Sequence, residues 1–194
     1  MIRPFKRFVP ALLLFTIILV LSGCGGEKKP ATEQTSGDAT AVSGFRATQW
    51  GMTLEEVKKG EKLKIVKEDS SSLIYSGEVY GKPGEVFYQF DESGTLFSAT
   101  VKYAVSKAEP EAAVALYNFI KSKMVTELGA PSVDMIVLLD STITDDLKMP
   151  GAGLETGNKI FTADWNDKPG SQIGIILSRP EESDLSLGVV YQRK

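Results

Sequence analysis

The chain has 194 residues, 42% of them apolar and 24% charged, with a formal net charge of −3, one cysteine and no histidine. One cysteine excludes a disulfide within the chain. The lack of imidazole excludes Ser-His-Asp and Cys-His catalysis, His-ligated zinc and haem with a His axial ligand. The length fits one ordinary domain or two small ones.

Residues 1–23 read as an address. Arg3, Lys6 and Arg7 give a basic start, and Val9 to Leu21 is apolar apart from Pro10 and Thr16. A positive start, an apolar run of about 13 residues and small residues at its end are the parts of an export signal. The run is short for a spanning helix, which needs about 20 residues. An uncleaved membrane anchor is the alternative reading.

Leu21-Ser22-Gly23-Cys24 ends the run and resembles the lipobox of bacterial lipoproteins. The resemblance implies cleavage between Gly23 and Cys24, a diacylglyceryl thioether on the Cys24 sulfur and acylation of the new α-amine. Several acyl chains suit a stable anchor, because each buried CH₂ contributes about 0.8 kcal/mol and a single chain holds only reversibly. Gly25 follows, where Asp in such lipoproteins favours retention in the inner membrane. The resemblance therefore implies the periplasmic leaflet of the outer membrane in a two-membrane cell, or the outer face of the membrane in a one-membrane cell. Without Arg3, Lys6 and Arg7 the 22 basic residues fall to 19 against 25 acids, a mature net charge of −6. That balance suits a soluble body and no nucleic-acid partner.

Residues 24–44 form the cysteine and its tether. Gly25 to Gly44 is rich in Gly, Ser, Thr, Ala and Glu, with one Val and no aromatic residue, a composition that predicts disorder. A flexible coil of about 20 residues spans about 25 Å on average. Residues 45–194 are globular in composition and long enough for a single core.

Within that domain, Thr53 followed by Glu56 is a capping box, which predicts a short helix with Leu54 and Val57 on one face and Trp50 and Met52 packed back onto the core. Strands are predicted at Leu63 to Val66, Ser72 to Tyr80, Glu85 to Phe90 and Phe97 to Val105. Turns are predicted at Gly81-Lys82-Pro83-Gly84 and Asp91-Glu92-Ser93-Gly94. Alternating strands joined by short turns argue an antiparallel meander. Glu109-Pro110 opens the strongest helix, with Val114, Tyr117, Ile120, Met124 and Leu128 at helical spacing and Gly129 and Pro131 as its stop. Val133 to Leu139, continuously apolar except Asp134, reads as a buried strand. Asp140 to Gly157 reads as a long loop. Strands follow at Lys159 to Asn166, Gln172 to Ser178 and Leu185 to Tyr191. The resulting class is α+β: antiparallel sheet with two helices packed on one face, in which a helix-plus-four-strand unit recurs twice.

Trp50-Gly51-Met52-Thr53-Leu54-Glu55-Glu56-Val57, preceded by Phe45-Arg46, resembles a segment of uncharacterised exported lipoproteins. Gly51-Met52-Thr53 to Val57 is also similar to the start of small-protein-A type outer-membrane lipoproteins, over fewer than ten residues. That second resemblance implies an accessory role in assembly of outer-membrane barrels. In that family a Gly-x-Pro turn soon follows the first helix; here Lys59-Gly60-Glu61 follows instead.

No Gly-x-Ser-x-Gly elbow, Ser-x-x-Lys or Walker loop occurs, so no catalytic residue is assigned. Asp145-Asp146 and Glu181-Glu182 are adjacent carboxylates of the kind found in solvated loops. Asp140, Ser141, Thr142, Thr144, Asp145 and Asp146 offer oxygens but lack the EF-hand spacing, so no metal site is assigned. Met149, Pro150, Gly151, Gly153 and Leu154, in a flexible and mildly apolar stretch, are the candidate contacts for a partner. The expected role is a lipid-anchored envelope module that binds a protein or peptide without catalysis and carries no cofactor beyond its lipid. The alternatives are a hydrolase working with carboxylates alone and an accessory of outer-membrane protein assembly.

Overall fold

The computed structural model describes residues 42–139, 149–180 and 183–194. The expected signal, Cys24, most of the tether, Asp140 to Asp146 and Glu181-Glu182 lie outside the described residues.

The folded part starts inside the expected tether. β1 (Gly44–Phe45) and β2 (Thr48–Gln49) form a small hairpin turned by Arg46 and Ala47. Val42 N–H donates to the Pro169 carbonyl at 3.0 Å, and the Ser171 hydroxyl donates to the Val42 carbonyl. The Trp50 indole N–H reaches the Ser171 oxygen at 2.7 Å, which fixes the hairpin on a strand 121 positions away in sequence. Trp50 and Met52 do pack against the core.

α1 (Leu54–Gly60) starts as the capping box requires. Thr53 N–H donates to the Glu56 carboxylate at 2.8 Å, and Glu56 N–H donates back to Thr53 Oγ1. β3 (Lys64–Glu68), β4 (Ser72–Val79), β5 (Lys82–Phe90) and β6 (Leu96–Tyr103) follow as an antiparallel meander. The β4–β5 turn lies earlier than the Gly and Pro residues suggested. It is Tyr80-Gly81, both at positive φ (53° and 77°), and Lys82, Pro83 and Gly84 already belong to β5. A two-residue turn with both centres left-handed matches the twist of its strands.

α2 (Pro110–Leu128) begins at its proline and ends at Gly129, whose φ of 83° suits a residue without Cβ. β7 (Val133–Leu138), β8 (Lys159–Asp164), β9 (Ser171–Ser178) and β10 (Ser186–Arg193) form a second meander. β10 pairs with β6, so eight strands share one antiparallel sheet in the order β3-β4-β5-β6-β10-β9-β8-β7. The fold is α+β, as the alternation and helix signals indicated.

Cross-strand partners share a face. Leu73, Tyr88, Ala99, Tyr191 and Ile173 stand opposite one another in succession, and so do Tyr75, Val86, Val101, Val189, Ile175 and Ala163. Both rows are buried. α2 covers them through Ala113, Val114, Tyr117, Ile120 and Met124, with the Tyr117 ring 5.6 Å from that of Phe161. α1 lies over the Tyr75 and Tyr88 end through buried Val57, and Phe45 stacks at 4.7 Å on Tyr191.

Glu61, just past α1, joins these parts. Its side chain is 1% exposed. Tyr88 Oη donates to it at 2.6 Å, Arg46 Nε at 3.1 Å, and the backbone N–H groups of Lys62 and Leu63 at 2.7 and 3.0 Å. Burial pushes the carboxyl pKa up, but the bonds from Tyr88, Arg46, Leu63 and Lys62 outweigh it and leave the group below its ordinary 4.5. A depressed native pKa stabilises the fold above the unfolded pKa and loses that stabilisation as pH falls through the native value. Glu61→Ala should therefore destabilise the domain by about 3 kcal/mol, because it strands Arg46 and the Tyr88 hydroxyl. The wild-type denaturation midpoint should fall below about pH 4.5 with a slope that Glu61→Gln reduces. Urea titrations across pH check both.

Candidate functional site

The two edges of the sheet differ in chemistry. β3 reads Lys-Ile-Val-Lys-Glu, is exposed along its length and carries a register shift between Ile65 and Lys67. Charge and a bulge are devices that keep an edge from recruiting another strand. β7 reads Val-Asp-Met-Ile-Val-Leu and pairs without a shift on β8 alone among the described residues. The run expected to be a buried strand is thus an edge strand. Met135 is 48% exposed and Leu139, just after it, 62%. A continuous apolar run marks a strand with two apolar faces, and it does not say whether a neighbour lies on each side.

The polar groups of the β7 backbone can be placed. Leu139 N–H donates to the Asn158 carbonyl at 2.8 Å, in step with the β7–β8 register. Ladder alternation then turns the N–H and C=O groups of Asp134, Ile136 and Leu138 away from β8.

A cavity of about 400 Å³ opens beside this edge on the helix side. Val114 and Tyr117 of α2, Ile136 of β7, Phe161 of β8 and Pro150 form its apolar lining. Lys121 and Asp134 stand at its polar side, joined at 3.0 Å through both carboxylate oxygens. The lysine ammonium also lies 5.2 Å from the Tyr117 ring centre. Tyr117 is 1% exposed, and its hydroxyl has no hydrogen-bond partner among the described residues. Burial, then the charges of Asp134 and Asp164, push its pKa up, so the group stays a neutral donor at physiological pH.

The residues proposed for partner contact separate here. Met149 is exposed and Pro150 half-buried against the cavity. Gly151, Gly153 and Leu154 are buried, contrary to the exposed stretch expected from the glycines. Gly151 N–H donates to the Glu111 carboxylate at 2.9 Å, and a Cβ there would come within 2.8 Å of the Pro110 backbone. This stretch therefore packs on the start of α2, and Pro150 lines the cavity beside β7. The β7 edge and the Tyr117 cavity were not legible as a site, although Val133 to Leu139 is apolar throughout except Asp134.

The face of the sheet away from the helices is the other broad surface. Ile74, Phe87, Thr100, Val190 and Gly174 cross it in register, all half-buried. Lys102 lies 4.6 Å from the Phe87 ring centre. A concavity of about 790 Å³ lies where Ser76, Glu78, Glu85 and Lys102 meet. The described residues include no group of three or more His, Cys, Asp or Glu able to hold a metal. Every described carboxyl with a displaced pKa is displaced downward, by hydrogen bonds that favour its charged form.

Two substitutions separate satisfied from unsatisfied hydroxyls. Tyr117→Phe removes a buried donor without a partner and should leave stability unchanged or raise it by up to about 1 kcal/mol. Tyr88→Phe removes a donor from a buried carboxylate and should cost about 2 kcal/mol. Chemical denaturation of both variants checks the contrast.

No family model, curated protein or solved structure matches the chain.

Proposed function

We propose that this chain is a membrane-anchored envelope lipoprotein whose tethered α+β domain is a non-enzymatic binding module. The observation that carries the anchor is Leu21-Ser22-Gly23-Cys24, closing an apolar run behind a basic start and containing the only cysteine of the chain. In this reading residues 1–23 are removed and Cys24 carries a diacylglyceryl group and an N-acyl chain. With Gly25 next, the protein sits on the periplasmic leaflet of an outer membrane, or on the outer face of a one-membrane cell.

Two features support a binding role. One is the apolar β7 edge, which pairs with β8 alone among the described residues, with its cavity; the other is the broad face opposite the helices. The alternative hydrolase needs a facing pair of carboxyls with one pKa raised, and the displaced carboxyls described above all go the other way. The assembly-accessory alternative rests on Gly51-Met52-Thr53 to Val57, whose described work is to cap α1 and bury Val57.

We read the strand order as one helix-plus-four-strand unit used twice. Each helix is followed by a four-strand meander, and the order mirrors itself about the β6–β10 pair.

Cys24→Ala should abolish incorporation of a labelled fatty acid and move the protein from membrane to soluble fraction. Labelling that persists in Cys24→Ala overturns the anchor. Turnover of envelope substrates by the purified protein overturns the binding role.

A further inference from the structure

We infer that the sheet face away from the helices holds a sugar-binding site built on Asp164 and Gly174, which takes one ring of a neutral or N-acetylated glycan through two neighbouring hydroxyls. This deepens the binding-module reading above, on which it rests, by giving the class of ligand.

Three strands bring the site together. Gly174 of β9 stands opposite Asp164 of β8 on one side and Val190 of β10 on the other. Ile176 stands opposite Thr162, and Gln172 opposite Gln192. Side chains alternate along a strand, so all of these belong to one face. They line a cavity of about 200 Å³.

Gly174 is the residue that a strand does not require. It lies inside β9, which pairs on both sides without a register shift, and its φ is not positive. Glycine weakens a strand interior and marks a place where another group comes close. Here that group is the Asp164 carboxylate, because a Cβ on residue 174 would lie 2.6 Å from Oδ1. The glycine thus lets the carboxylate lie over β9. The Asp164 side chain nevertheless has no hydrogen-bond or ion-pair partner among the described residues, and the same holds for the side chains of Thr162, Gln172 and Gln192.

This polar set selects its ligand. A carboxylate only accepts, whereas a threonine hydroxyl and a glutamine amide each donate and accept. A lone ammonium answers the carboxylate and leaves the amide and hydroxyl donors unused. An anion is repelled by Asp164. A metal ion lacks a group of three acidic, His or Cys ligands among the described residues. Neighbouring hydroxyls on one ring answer the whole set: two O–H groups donate to the two carboxylate oxygens, and the hydroxyl oxygens accept from the amides. The C–H face of the same ring meets Val190 and Ile176, as small-ligand sites combine apolar lining with a few placed polar groups.

The site lies at the end of the strands where Asp164 opposes Val133. Residues 140–148 join β7 and β8 at the other end, where Leu138 opposes Lys159, and residues 181–182 join β9 and β10 where Ser178 opposes Ser186. Val42 is held by the Ser171 hydroxyl, and Ser171 alternates with Gln172, so its side chain belongs to the helix side of the sheet.

The test uses the full lipidated chain in nanodiscs carrying a fluorescent lipid, applied to an array of neutral, N-acetylated and uronate-bearing oligosaccharides, with empty nanodiscs as the blank. Retention on neutral or N-acetylated members and not on uronates is expected. The strongest binder is then titrated beside its O-methylated form, which should bind about tenfold more weakly because the hydroxyls no longer donate. Asp164→Asn and Gly174→Ala should each weaken binding about tenfold with an unchanged circular dichroism spectrum, while Glu85→Gln, elsewhere on the same face, should leave it intact. The O-methyl comparison needs no variant, so it stands even where Gly174→Ala fails to fold. Retention on no oligosaccharide, equal affinity for the O-methylated form, or displacement of the sugar by 1,5-diaminopentane overturns the proposal. Self-association lost in Asp164→Asn also overturns it, by giving the face to a second copy. Each of these leaves the anchored binding module standing. Cleavage of the bound oligosaccharide instead supports the site and overturns the non-enzymatic reading.

Discussion

The pairing of β6 with β10 is the constraint on which the rest of the structure depends. Six residue pairs, from Leu187 opposite Tyr103 to Gln192 opposite Ser98, join two meanders into one sheet. Each meander alone would have a core-facing surface one helix wide and two more edges to protect. Joined, they place Val101 and Val189 at the centre of a continuous buried row that both helices cover. The partners lie far apart in sequence, so closing this pair is entropically demanding and gains only from the burial that follows. Local hairpins such as the one at Tyr80-Gly81 have no such dependence on distant residues.

Around that seam the polar groups act as fasteners. Glu61 binds the β1–β2 hairpin through Arg46, the centre of the sheet through Tyr88 and its own backbone through Lys62 and Leu63. A buried carboxylate is tolerated because it accepts bonds from all these donors. Tyr80 and Tyr191 share a hydrogen bond between their hydroxyls, linking the β4–β5 turn to β10 across the seam. At the opposite end Asp91 closes the β5–β6 turn through Ser93 and Thr95 and accepts from Arg193 of β10 at 2.9 Å. The Trp165 indole donates to the Gly129 carbonyl and ties the end of α2 to the end of β8.

These fasteners satisfy the interior and leave the unsatisfied chemistry at one margin. β3 ends the sheet with lysines and a bulge, whereas β7 ends it with apolar side chains and a regular backbone. The same asymmetry appears in the hydroxyls: Tyr88 has a carboxylate acceptor at 2.6 Å, and Tyr117, equally buried, has none among the described residues. An apolar edge, a cavity and a hydroxyl without a partner among the described residues thus meet in one place.

Sequence patterning alone determined what depends on neighbours in the chain. The capping box of α1, the proline and glycine that bound α2, the buried stripe from Val114 to Met124 and the alternation of β8, β9 and β10 are local, because φ preferences and side-chain periodicity act over a few residues. The class α+β followed from them. Tertiary structure decided three matters that the pattern left open. It placed the β4–β5 turn at Tyr80-Gly81 and drew Pro83 and Gly84 into a strand, because pairing with β4 fixes the register there. It buried Gly151, Gly153 and Leu154 by seating them on α2, a contact between segments 40 positions apart. It made β7 an edge, because hydrophobicity records that a side chain prefers to leave water but not which strand lies beside it. Glu61 shows the same limit: its charge suggests solvent, and only the convergence of Arg46 and Tyr88 from distant segments makes its burial stable.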